Sequence, residues 1–296
     1  MSSGLQIGPR IAPPIRCLRA ANPSPLTGSG TNTWMIGGAQ VAVIDPGPDL
    51  DDHLQAILTA LPTGARITTI LVTHAHRDHS ALVPRLAALT GAEVLAYGTA
   101  TDGRSPLMAA LAADLPPSTE GLDLAFRPDR RIADGDRITG PDWELAAIHT
   151  PGHLGGHLCF ALGDTLFSGD HVMGWSTTLV APPDGDMGAY MASLARLQQQ
   201  RWSRLLPGHG DAVADPTQRL ADLVTHRLAR EAALLAELQR GPRAVPDLTR
   251  AVYTDIPQHL LPAAAHNVLA HLVDLASRNL VSAHPILHPT AVFHLI

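Results

Sequence analysis
The chain has 296 residues, 45% of them hydrophobic and 16% charged, with a formal net charge of −6. That balance is too apolar for a disordered chain, and no apolar run approaches the ~18–20 residues of a membrane span, which excludes an integral helical membrane protein. All 21 basic residues are arginine, which excludes a lysine Schiff base and a phosphate-binding loop ending in Gly-Lys-Ser/Thr.

The first 25 residues hold scattered Arg and Pro and no apolar core, so no secretory signal is expected. Cys17 and Cys159 are too few for a disulfide framework or a cysteine-rich zinc site, and a cytoplasmic setting follows as the expectation. The periodicity predicts strands over Thr33–Ile36 and Gln40–Ile44, joined at Gly37-Gly38 as a two-residue hairpin. A helix is expected over Asp51–Leu61, with Leu54, Ile57, Leu58 and Leu61 on one face. Ile67–Val72 is a short continuous apolar run, the mark of a strand buried on both faces. Ala81–Leu89 reads as a helix and Glu93–Tyr97 as a strand. Residues 98–130 are rich in Pro, Gly, Ala and Asp; Leu107–Leu115 is a short helix candidate, with a lid over a site as one reading of the segment. Strands return at Trp143–His149, His157–Leu162 and Thr165–Phe167. A helix over Gly188–Gln200 and a strand over Trp202–Leu206 follow.

The character changes near Asp215-Pro216, which sets expected domains at 1–215 and 216–296. Thr217–Arg240 is a long amphipathic helix, and Val245–Tyr253 and Leu261–Ser277 also look helical. Leu280–Ala283 and Ala291–Leu295 look like short strands. Three helices and a strand pair are the order of a winged-helix unit.

Sixteen histidines are an unusual number, and their positions direct the functional reading. His74-Ala75-His76-Arg77-Asp78-His79 follows the buried strand at 67–72. His153, Asp170 and His209 each follow another predicted strand, beside glycines. Loops carried on a rigid sheet are where sites are built. Neutral imidazole and carboxylate bind zinc at about 2.0–2.2 Å. A group of three His and a group of two His plus Asp would each leave room for solvent, and one further carboxylate could bridge two metals. An all-nitrogen-and-oxygen donor set favours zinc while leaving manganese or iron open.

The pattern His74-x-His76-x-Asp78-His79, with His153, Asp170 and His209 downstream, resembles the metallo-β-lactamase superfamily over roughly residues 30–212. The resemblance implies an αββα sandwich with a dinuclear site at one edge and two Zn2+ ions, with Mn2+ or Fe as options. His74, His76 and His153 would hold the first metal. Asp78, His79 and His209 would hold the second, Asp170 would bridge, and Asp45 in the Asp-Pro-Gly position would fix the loop carrying His74. Asn32-Thr33-Trp34, the Gly169–Thr178 stretch, the Pro182–Met187 stretch and His226-Arg227-x-x-Arg230-Glu231 narrow the likeness to the β-lactamase-like protein 2 group. That group pairs the hydrolase unit with a small, mainly helical winged-helix-like domain.

The expected function is that of a dinuclear zinc hydrolase whose metal-bridging hydroxide attacks an ester- or thioester-type carbonyl in a small molecule. Asp78 and Asp170 would hold the hydroxide. The alternative is endoribonuclease action on single-stranded RNA, as in the animal member of the group; β-lactamase or lactonase turnover comes third. His149 and His157 read as neighbours that orient ligands or pack. His171 reads the same way, with protonation of a leaving group as its catalytic alternative. Tyr190 is a candidate oxyanion donor, with helix packing the simpler role. The tail carries seven Arg against six acids and residues 1–215 carry 14 against 21. Neither unit has the basic excess of a nucleic-acid binder. The tail is expected to shape the site entrance or to make a homodimer contact.

Overall fold
Alternation along the strands decides the layers. The computed structural model describes residues 13–115 and 121–296. The first sheet is built from β1 (Ile15–Arg19), β2 (Asn32–Ile36), β3 (Gln40–Ile44), β4 (Arg66–Leu71), β5 (Glu93–Ala96) and β6 (Arg130–Arg131), side by side in that order. The first three strands are antiparallel and the later pairs parallel. Between them come α1 (Asp51–Thr59), the single turn α2 (Arg77–Ser80), α3 (Val83–Thr90) and α4 (Pro106–Leu111). The second sheet holds β7 (Arg137–Thr139), β8 (Glu144–His149), β9 (Leu158–Leu162), β10 (Thr165–Gly169) and β11 (Arg204–Pro207), with α5 (Met187–Leu197) before its last strand.

Successive side chains of a strand face opposite sides, and here both sides are apolar. Trp34, Ile36, Ala42 and Ile44 point between the sheets and meet Leu145, Phe160 and Phe167. Their neighbours Met35, Val41 and Val43 point outward under Leu54, Ile57 and Leu86 of α1 and α3. Cys159 and Leu166 do the same on the second sheet, under Tyr190 and Leu194 of α5. Helices thus cover both outer faces, which gives the αββα sandwich. Among the described residues no helix is long and apolar enough to cross a membrane.

The connection after β2 is longer than the expected two residues, with residues 37–39 outside the paired strands. Gly37 adopts φ 108° against the Trp143 indole, where a Cβ would come within 2.6 Å of the ring. The indole N–H donates to the Gln40 carbonyl, so a tryptophan from the other sheet shapes this turn. Strands β1, β6 and β7 are additions to the sequence-based set. The last strand of the second sheet begins at Arg204 rather than Trp202, whose indole instead donates to the Leu197 carbonyl at the end of α5. The helix expected at 107–115 is the shorter α4, and residues 116–120 of the suspected lid lie outside the described residues.

The tail comprises α6 (Pro216–Leu238), β12 (Arg243–Ala244), α7 (Val245–Val252), α8 (Leu261–Ser277), β13 (Val281–His284) and β14 (Val292–Leu295). Asp215 caps α6 through the Gln218 amide, satisfying one of the donors that a helix start leaves free. The small sheet runs β12-β14-β13. The first half of α6 packs Leu220 and Leu223 with α5, while its second half puts Leu234 and Leu238 into the tail's own core. Met108 and Leu111 of α4, with Leu115, enter that tail core from the side of the two-sheet unit.

His271 of α8 is 2% exposed, and neither ring nitrogen has a partner among the described residues. Burial, aided by the charge of Arg227, pushes it down to about 3. The fold therefore keeps the neutral ring. Its stabilisation is present above pH ~6.5 and is lost as pH falls toward about 3, because unfolding then takes up a proton. His271→Leu should remove about one proton from that uptake, measured as a shallower pH dependence of urea-unfolding free energy between pH 6.5 and 3.

Candidate metal centre
The ligand candidates stand at strand ends along one edge of the sandwich. His74 follows β4, and His76, Asp78 and His79 sit at and within the single turn α2. His153 follows β8, Asp170 follows β10 and His209 follows β11. These seven side chains, scattered over 136 positions of sequence, converge on one spot. His74 Nε2 lies 2.9 Å from His76 Nδ1, and His153 Nε2 lies 3.1 Å from the same atom. In the second group, His209 Nε2 is 3.2 Å from Asp78 Oδ2 and 3.3 Å from His79 Nε2. Asp170 Oδ2 stands between the groups, 3.2 Å from His209, 3.8 Å from His153 and 4.0 Å from His74. Its other oxygen is buried without a hydrogen-bond partner among the described residues.

For His74, His79, His153 and His209, the nitrogen that faces inward is fixed from behind. His153 Nδ1 donates to the Leu179 carbonyl at 2.7 Å, and His209 Nδ1 to that of Gly30 at 3.3 Å. His79 Nδ1 donates to Asp45 Oδ2 at 2.9 Å. Thr73 gives its hydroxyl proton to the same Asp45 oxygen at 2.7 Å, leaving its lone pairs to accept from His74 Nδ1 at 3.0 Å. Protonating the outer nitrogen leaves the inner one with a lone pair. Asp45 thus acts on both groups, through His79 directly and His74 through Thr73. It sits at φ 51°, a left-handed conformation that, glycine aside, costs least for Asn and Asp. Its Oδ1 accepts the Thr73 amide at 2.7 Å, which pins the loop entering His74.

The electrostatics differ between the groups. Burial drives His74 well below its usual range and His76 to about 3, with the neighbouring imidazoles reinforcing both shifts. Burial also lowers His153. These three rings stay neutral, the form that ligates metal. In the second group, burial works against charge, but the carboxylates of Asp78 and Asp170 overcome it. His79 is raised well above its usual value and His209 to about 9. Burial would raise Asp78 and Asp170, yet the histidines hold both below the usual carboxylate range. Converging lone pairs, two carboxylates and an unpartnered buried oxygen form a place built for cations. Close approach is needed as well: a Cβ on Gly208 would lie 2.4 Å from Asp170 Oδ1 and 2.7 Å from His79 Cε1.

The other expected residues fall around this centre. His157 accepts the Asp170 amide at 3.3 Å and bonds the Thr150 hydroxyl at 2.9 Å, so it orients the bridge position. His149 does not face the ligands; it stacks on Tyr97 and bonds the Gly155 carbonyl in the loop that carries His153. His171 corrects the leaving-group reading. It is fully buried between His157 and Tyr190, outside the cavity lining, and burial pushes it down to about 3. Such a ring has no proton to give near neutral pH. Tyr190 is equally buried and donates to the His171 carbonyl, a packing role. Thr73, and Thr31, whose hydroxyl donates to Asp78 Oδ2 at 3.2 Å, were not legible as site residues. Only their positions beside His74 and Asn32 gave any signal.

Fold and ligand set together define a metal-dependent hydrolase, and the chain belongs to the metallo-β-lactamase superfamily. Residues 26–209 match the model of that superfamily, and residues 244–286 match the β-lactamase-associated winged helix domain. The chain is 33% identical over 267 residues to a Drosophila melanogaster protein named β-lactamase-like protein 2 homolog, covering 86% of this chain and 85% of that one. It is 28% identical to an atrochrysone carboxyl ACP thioesterase of Aspergillus chevalieri, covering 84% and 76%. A crystal structure of a metallo-β-lactamase family protein from Thermus thermophilus superposes with TM-score 0.75 at 25% identity, covering 95% and 98%.

Asp45→Asn keeps a residue that tolerates the left-handed backbone. Whichever way the amide turns, its NH2 faces a donor, either the Thr73 amide or the Thr73 hydroxyl and His79. Zinc affinity should fall ~10–100-fold, measured by competition with a chromogenic chelator. In metal-free protein the raised His209 contributes stability that is complete below pH ~6.5 and lost as pH rises through about 9. The melting temperature of chelator-stripped protein should therefore fall across that window, and His209→Gln should flatten the fall.

Proposed function
We propose that this protein is a dinuclear zinc hydrolase acting on ester or thioester carbonyl groups that carry an apolar acyl chain. The carrying observation is a cavity of about 610 Å³ in front of the ligand cluster. Its floor includes His76, Asp78, His153, Asp170 and His209, and its walls are mainly apolar. Val245, Pro262, Ala265 and Leu269 of the tail line it together with Leu26 of the first unit. No arginine lines it among the described residues. Away from the ligand cluster, a phosphodiester strand would bring charges that no arginine of the described lining offsets, whereas an uncharged acyl chain gains by leaving water. The thioesterase name of the Aspergillus relative supports the same substrate class.

His74, His76 and His153 would hold one ion, Asp78, His79 and His209 the other, with Asp170 shared. The nitrogen-rich donor set suits zinc, with manganese and iron as alternatives. Two such ions supply an activated water and a Lewis acid at neutral pH. The chain's own residues do the rest. Thr31 and the histidines fix the Asp78 carboxylate, Asp170 is held from its amide by His157, and the apolar walls keep bulk water from the acyl chain. We read residues 1–215 as the catalytic unit and 216–296 as a unit that completes the cavity.

The test is turnover of N-acetylcysteamine thioesters from acetyl to octanoyl by zinc-loaded protein, beside end-labelled single-stranded RNA. The octanoyl ester should be preferred, and Asp78→Ala should lose more than ~100-fold in kcat/KM, since even residues behind the ligands are worth ~10–100-fold. RNA cleavage that Asp78→Ala abolishes, without thioester turnover, would replace this reading with the nuclease.

A further inference from the structure
The tail contributes one group that neither the metal centre nor the cavity explains. Arg227 of α6 is 1% exposed, and no carboxylate pairs with it among the described residues. Its guanidinium lies 5.2 Å from the centre of the Tyr190 ring. Nη2 donates to the Thr178 carbonyl and Nη1 to Asn267 Oδ1 at 3.1 Å. Asn267, on α8, uses that same oxygen to accept the Val180 amide at 3.1 Å. Two tail residues thus hold Thr178 and Val180, on either side of Leu179. The Leu179 carbonyl is the acceptor that fixes the ring of His153. Thr178 is also tied forward, its hydroxyl lying 2.7 Å from the Asp170 carbonyl and 2.9 Å from that of His171.

Burying a guanidinium without a carboxylate is costly, and packing alone would be met by an apolar side chain. What a leucine or methionine could not do is satisfy the Thr178 carbonyl and orient the Asn267 amide together. We infer that Arg227 and Asn267 are positioning residues for the metal ligand His153, acting through the main chain of residues 178–180. The winged-helix unit is then part of the metal centre's support as well as a wall of the cavity. This rests on the reading of His153 as a ligand.

The experiment is zinc affinity by chelator competition on the full chain, in a double-mutant cycle. His153→Ala, Arg227→Met and Asn267→Leu are made singly, and Arg227→Met is also combined with His153→Ala and with His209→Ala. Arg227→Met and Asn267→Leu should each weaken zinc binding ~10–100-fold. Arg227→Met should add little once His153 is gone, yet keep its effect beside His209→Ala. Arg227→Lys, which keeps a cation and one donor to Thr178, should recover part of the loss and covers the case in which Arg227→Met does not fold. Unchanged affinity in folded Arg227 and Asn267 variants, or effects that add in full to His153→Ala, would overturn the inference. If His153→Ala itself leaves zinc affinity unchanged, the ligand reading fails instead.

Discussion
The carboxylate of Asp45 is the constraint on which the rest of the site depends. One oxygen accepts from both His79 and Thr73, and the other accepts the Thr73 amide. A single buried anion therefore sets the tautomer of a ring in each ligand group and the entry of the loop between β4 and α2. The residue reaches this position because the chain turns left-handed directly after β3. β3 is in turn fixed in register between β2 and β4 by side chains that are apolar on both faces. The chemistry is thus anchored in the packing of the first sheet.

The candidate ligands divide into two groups with different electrostatic environments. Three buried imidazoles repel protons because they are desolvated and crowd one another. Two others attract protons because carboxylates face them. The first group thus turns neutral rings with lone pairs inward, whereas in the second the carboxylates of Asp78 and Asp170 hold protonated rings whose protons a bound cation would displace. The cavity in front of the cluster is completed by α7 and α8, so the tail affects what can approach the centre.

Much of this was legible in the chain itself. Most strands of the two sheets were legible from apolar runs and alternation, the αββα layering was implied by the family resemblance, and the candidate ligand histidines stood out because they follow predicted strands, His153 and His209 beside glycines. Less visible were elements whose partners lie far away in sequence. β1 is half exposed and has no clean alternation, and it exists as a strand because β2 pairs with it. The turn after β2 depends on Trp143, a hundred residues on. His171 looked chemically useful from its place beside Asp170, but a side chain next to a ligand in sequence can point the opposite way, here into the layer under α5. Thr73, Thr31, Arg227 and Asn267 act through hydrogen bonds whose geometry no residue pattern announces.

The seam between the sheet ends gives the site a particular place in the order of assembly. Thr31 bridges to His209, Asn32 donates to the carbonyls of Pro207 and Gly210, and Trp34 donates to that of Pro207. These contacts close loops of more than 170 residues, the kind of long-range closure that folds slowly. A chain emerging from the ribosome can complete neither the second ligand group nor its backing until residue 209 and the strand before it have joined the first sheet. Until then, the early histidines His74, His76 and His79 lack the later residues His153, Asp170 and His209 that complete their groups. The second group of candidate ligands therefore exists only in the finished fold, because its last member arrives with the strand that closes the second sheet.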